Sequence, residues 1–147
     1  MNDFWVLLHL TGVVVWLGGM FFALACLRPS LAGLPAVNRA PLMAEALGRF
    51  FRYVGLAVAG IWLSGILLIA PVGMKAAPLG WHLMIGAALL MTVVFLVIRL
   101  LVFPRVQRAI ADGLLPVAGA GLNQIRWLVV INLVLGVIAV WGVTSLH

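Results

Sequence analysis

The chain has 147 residues, enough for one domain, but 66% of it is hydrophobic and only 8% is charged, far from the balance of a soluble domain. Three acids and nine Lys or Arg residues cannot surround a core of this size with a polar shell, so a bilayer must act as the solvent. The single cysteine, Cys26, excludes an internal disulfide and a cysteine-based zinc site.

About 20 apolar residues in a helix cross a hydrocarbon core, and four segments qualify: roughly 4–27, 50–72, 79–103 and 125–146. Helices are required because no water reaches the backbone at depth. The first segment opens with Asp3 and no Lys or Arg, and its apolar run exceeds that of a secretory signal, so it is expected to stay as a helix. Ala23-Leu24-Ala25-Cys26 has the outline of a lipoprotein cleavage site, without the basic start that such signals need. Pro29 follows the first segment, Pro71 closes the second, Pro78 precedes the third and Pro104 ends it. The connections are read as a loop over 28–49 with a short helical piece from Leu42, a tight turn over 73–78, and a stretch over 104–124 holding a short surface helix, 105–112. The fold class is therefore an all-α integral membrane four-helix bundle, forming a single transmembrane domain over 1–147.

Every arginine flanks the first or third connection: Arg28, Arg39, Arg49 and Arg52 at one, Arg99, Arg105, Arg108 and Arg126 at the other. Lys75 alone lies in the middle turn. The positive-inside rule then places the first and third loops in the cytoplasm and both termini outside. It also explains the net charge of +6 without nucleic acid. Arg28, Arg49, Arg52, Arg99 and Arg126 are membrane-flanking residues whose expected partner is anionic lipid.

In this topology His9 and His82 each lie near the outer end of a helix. At ~1.5 Å per residue their depths match within about a turn. Ionisable residues inside a membrane are rare and usually face the bundle interior. His9, Gly12, Trp16, Gly19 and Ala23 form one stripe on the first helix, and His82, Gly86, Leu89 and Val93 form another on the third. Gly12, Trp16, Gly19 and Gly86 are thus candidate residues for packing a cofactor, since small residues leave room for a flat ligand; they would equally allow tight helix packing.

Three readings of the pair stay open. In the first it binds a metal ion: imidazole is the commonest metal ligand and thioether sulfur selects Cu(I), with Met1, Met74 and Met84 as accessory candidates. In the second, His9 and His82 are the axial ligands of haem b. In the third, the histidines only pack, in a non-catalytic membrane scaffold. Ser64, Thr92 and Asn132 read as interhelical hydrogen-bonding residues, Trp5, Trp81, Trp141 and Trp127 as interfacial, and Trp16 and Trp62 as core. His147 is a terminal residue without an assigned role. No span contains Asp or Glu, and no nucleophile–base pair or phosphate-binding glycine loop is present. Enzymatic activity would therefore need redox chemistry through bound haem. A second copy of the chain could serve as a homodimeric partner, although no motif specifies it.

Leu8-His9, Trp16-Leu17-Gly18-Gly19-Met20-Phe21-Phe22 and Leu27-Arg28-Pro29 resemble the opening helix of the CopD-type membrane proteins, which are linked with copper resistance and uptake. Gly48-Arg49-Phe50-Phe51-Arg52, His82-Leu83-Met84, Ile125-Arg126 and Asn132-Leu133-Val134-Leu135-Gly136 extend the resemblance over nearly the whole chain through short, apolar motifs. It implies a four-helix unit in the bacterial inner membrane that handles copper delivered from the periplasm. A more distant similarity is to HemJ-type protoporphyrinogen oxidases, which share a His followed by Trp-x-x-Gly and bind haem b. Those proteins carry a lysine early in the third helix, where this chain has Met84 or another apolar residue. That difference counts against the oxidase activity and not against haem. The leading expectation is a copper-handling protein using His9 and His82, with haem b as the alternative cofactor.

Overall fold

The computed structural model describes residues 2–147. Over these residues the chain forms four helices, each long and apolar enough to cross a membrane: α1 (Asn2–Leu31), α2 (Ala36–Ile69), α3 (Leu79–Ala111) and α4 (Leu115–Ser145). No strand occurs among the described residues, so the all-α, four-helix expectation is met.

The helices are longer than hydropathy alone indicates. α1 and α3 run past the residues expected to end them, while α2 and α4 begin well ahead of Phe50 and Ile125. Two prolines read as terminators, Pro29 and Pro104, are instead accommodated within helices. A proline lacks an N–H and its ring crowds the carbonyl four residues back. In α1 a π-helical turn at Ala23–Leu27 comes just before Pro29, and in α3 another at Ile98–Val102 comes just before Pro104. The wider turn absorbs the lost bond and the crowding, and α-helical geometry resumes beyond it. Pro35 and Pro78, in extended conformation (ψ 146° and 154°), precede the first turns of α2 and α3. Pro41 is tolerated early in α2, on an exposed face.

The connection from α3 to α4 is correspondingly short. Gly113 adopts φ +71°, and the N–H of Leu114 donates to the carbonyl of Ala109 at 2.8 Å. This is a glycine C-cap, which needs the left-handed conformation that a Cβ disfavours. α3 thereby turns directly into α4 where a longer connection over 104–124 was expected.

Antiparallel packing follows from the small residues. α1 lies on α2 through Gly12, where an added Cβ would stand 2.6 Å from Ile61 Cγ1, and through Gly19, beneath the ring of Phe50. α3 lies on α4 through Gly80, Gly136 and Gly142, and the N–H of Gly80 donates to the carbonyl of Leu146 at 3.1 Å. Without a hydrophobic drive between helices in lipid, such close approach supplies the packing energy. Buried positions on α4 recur at Ala118, Leu122, Ile125, Val129, Asn132, Gly136, Ala139 and Gly142, a seam of four- and three-residue steps. The opposite faces carry exposed Val14, Leu56, Leu100 and Val137, the exterior expected when lipid is the solvent.

Aromatic rings fill the middle of the bundle. Trp16 and Phe95 meet edge-on at 6.4 Å between centroids, Phe51 and Phe95 at 6.2 Å, and Phe51 and Phe103 at 5.0 Å. These contacts tie α1, α2 and α3 together below the level of the histidines.

Candidate functional site

Because α1 packs antiparallel to α2 and α4, and α3 antiparallel to α4, α1 and α3 start at the same end of the bundle. Their relative depth can be read from Gly136 of α4, where an added Cβ would meet both Leu17 of α1 and Met91 of α3. Those two residues therefore share a level. At ~1.5 Å per residue, His9 lies ~12 Å above Leu17 and His82 ~13 Å above Met91. The two imidazoles are thus carried at nearly one depth.

Their surroundings differ. His9 is half-buried against α2: its Nδ1 is 3.1 Å from the carbonyl oxygen of Ile61 and 3.1 Å from Ser64 Oγ. Ser64 is fully buried, and its hydroxyl donates to the carbonyls of Gly60 and Ile61. Ser64 Oγ has spent its proton there and can only accept from His9. A carbonyl oxygen likewise only accepts, so both contacts place the proton on Nδ1 and the lone pair on Nε2. His82 is exposed, and its Nδ1 lies 3.1 Å from the carbonyl oxygen of Pro78, one turn back in the chain. The same logic puts its proton on Nδ1 and leaves Nε2 as the basic nitrogen. Anchoring Nδ1–H on a backbone carbonyl is how proteins orient an imidazole that binds metal through Nε2.

The stripe beside His82 differs from the inward placement expected of it. His82, Gly86, Leu89 and Val93 all lie on the open face of α3. The face that meets α4 is carried by Gly80, Leu83, Ala87 and Met91. Glycine spacing on α3 fits both faces, and the contact with Gly142 selects the one that starts at Gly80. An added Cβ on Gly86 would have no neighbour within 4 Å.

On α1 the small residues do face inward, but side chains occupy the space beside them. Gly12 is filled by Ile61 and Gly19 by Phe50, while Trp16, 4% exposed, packs edge-on against Phe95. The planar slot that a porphyrin beside His9 would need is taken by these contacts. Of the accessory candidates, Met84 is half-buried, Met74 is exposed in the turn, and Met1 lies outside the described residues. Among the described residues no cluster of three or more His, Cys, Asp or Glu side chains forms.

The remaining polar groups fasten helices together. Trp62 Nε1–H donates to Thr92 Oγ1 at 3.0 Å, linking α2 to α3, and Asn132 Nδ2–H donates to the carbonyl of Met91 at 3.1 Å, linking α4 to α3. Hydropathy assigned Trp62 to the core, and its indole proton carries this further role. The arginines gather at the far end. Arg28 Nη1 donates to the carbonyl of Leu122 at 3.3 Å, Arg99 lies over the Phe103 ring at 5.8 Å and Arg126 over Trp127 at 5.6 Å. Arg49 forms an exposed pair with Glu45 at 2.8 Å, and Arg52 is exposed.

Four helices long and apolar enough to cross a membrane, with an apolar exterior, define a polytopic α-helical membrane protein. Residues 44–146, from early α2 to the end of α4, match the family described as copper resistance protein D, and the chain belongs to that family. The match contains His82 and Ser64, while His9 lies ahead of it. A comparison with curated proteins and with solved structures gave no match.

Proposed function

We propose that this protein handles copper at the membrane, with His82 as its exposed ligand and His9 as its sheltered one. The observation that carries the reading is the shared anchoring of the two rings: each Nδ1–H is held by a backbone carbonyl, so each Nε2 presents a lone pair at nearly the same depth. Membership of the copper resistance protein D family supplies the metal, and Met84 and Met74 are the soft donors nearest to His82 in the chain. Copper here is cargo, taken up or passed on. Positive-inside counting sets the histidine end on the periplasmic side of a bacterial inner membrane, with both termini outside.

The test is Cu(I) affinity of the purified protein, measured by competition with a chromogenic chelator. His9→Ala and His82→Ala should each weaken binding by about tenfold or more, and Ser64→Ala should weaken it by a smaller factor because it loosens only the ring of His9. A His9→Ala/His82→Ala double variant that competes for Cu(I) as the wild type does would overturn the assignment. The visible spectrum is read on the same samples, and a Soret band lost with either histidine would replace copper by haem b.

A further inference from the structure

At the end of the bundle opposite the histidines, the helical extensions of α1, α2 and α4 enclose a cleft of about 300 Å³ lined by Arg28, Arg39, Ala32, Met43, Gly119 and Leu122. Beside it lies a shallow, mostly apolar groove that shares Arg28, Met43 and Leu122 and is also lined by Ala23, Leu24, Val129 and Arg126. The cleft is cationic and the groove beside it is mostly apolar.

The charges in the cleft lack a counter-ion from the chain. No acidic residue lines it, and among the described residues the one ion pair is Glu45 with Arg49, outside it. Arg28 is half-buried and shares the cleft with Arg39, with Arg126 lining the groove beside it. Its Nη1 donates to the carbonyl of Leu122, and Arg39 Nη1 donates to that of Ala32 at 3.4 Å. These bonds fix the forks while leaving further N–H groups on each guanidinium for a ligand. Like charges held together in a partly desolvated site are stabilised by an anion, and planar guanidinium forks match phosphate oxygens.

The groove narrows the choice of anion. The π-helical turn Ala23–Leu27 sets Ala23 and Leu24 at its wall, next to the arginines. A soluble phosphate would use only the cleft, whereas a phospholipid would also cover the apolar wall beside it.

We propose that this cleft is a binding site for one anionic glycerophospholipid, with its phosphate on Arg28 and Arg39 and an acyl chain laid against Ala23 and Leu24. The site differs from the general attraction of a basic surface for a charged leaflet, because it uses particular arginines. Arg105 and Arg108, equally basic, exposed and on the extension of α3, take no part in it.

Native mass spectrometry of the detergent-solubilised protein, supplied with phosphatidylglycerol or phosphatidylcholine, tests this. The wild type should retain one phosphatidylglycerol in preference to phosphatidylcholine. Arg39→Gln should lower that retention by about tenfold, and Arg28→Gln by at least as much. Arg28→Lys, which keeps charge but loses the fork, should fall between, and Arg105→Gln/Arg108→Gln should bind as the wild type does. Equal retention of the two lipids, or an equal loss in the Arg105→Gln/Arg108→Gln variant, would overturn the site. Displacement of the lipid by millimolar inorganic phosphate would reassign the cleft to a free anion and overturn the lipid assignment.

Discussion

Replacing Gly80 by alanine sets a methyl group against backbone, where little can yield. The new Cβ would lie 2.5 Å from the carbonyl oxygen of Leu146 and closer still to that of Gly142. Restoring ordinary contact distance requires α3 and α4 to part by about 1 Å. Overpacking of this kind costs about 1–3 kcal/mol. Parting the helices also weakens the Gly80 N–H bond to Leu146, 3.1 Å long and worth about 0.5–1.5 kcal/mol. The better helix propensity of alanine returns about 0.5–1 kcal/mol, so the net loss is about 0.5–4 kcal/mol, centred near 2. Two neighbouring glycines serve as internal standards. At Gly142 an added Cβ would meet Leu83 Cδ2 at 2.8 Å, a flexible side-chain end that can rotate away, so Gly142→Ala should cost less than about 1 kcal/mol. At Gly86 nothing lies within 4 Å, and Gly86→Ala should be neutral or stabilising. Unfolding in mixed micelles, followed by circular dichroism as denaturing detergent is raised, ranks the three. Gly80→Ala no less stable than Gly86→Ala would refute the packing of α3 on α4 described above.

Two further outcomes are expected. In a Cys26→Ser background, a membrane-impermeant maleimide should label Lys75→Cys in intact cells and Asp112→Cys only after lysis; the reverse pattern would invert the proposed topology and move the histidines to the cytoplasmic side. A double-mutant cycle of Trp62→Phe and Thr92→Val should give a coupling of about 0.6–1.5 kcal/mol in the same unfolding assay, since interhelical hydrogen bonds in membranes are individually modest. Zero coupling would show that the α2–α3 contact rests on packing alone.

Much of the architecture was legible from composition. Hydropathy located all four helices, because continuous apolar runs of this length satisfy their backbone in lipid as helices. The proline rule succeeded at Pro78 and failed at Pro29 and Pro104, where π-helical turns carry the helix onward. Such a turn depends on the geometry around the proline, and hydropathy has no signal for it. In the sequence Ser64 is only a polar residue within a span. Its partnership with His9 arises from the crossing of α1 and α2 at Gly12, a contact between residues far apart in the chain.

The sequence by itself determined that this chain lives in lipid, that its helices number four, and that two histidines share one depth, since each of these depends on local composition and on rise per residue. Tertiary structure decided which way those residues look. Periodicity defines a stripe but not the neighbour it meets, and the Gly80–Gly142 contact turned the His82 stripe outward while Gly12 turned His9 toward α2. It also brought Arg28 and Arg39 into one cleft, since only the packing of α1, α2 and α4 gathers arginines that the sequence marks singly as flanking charges.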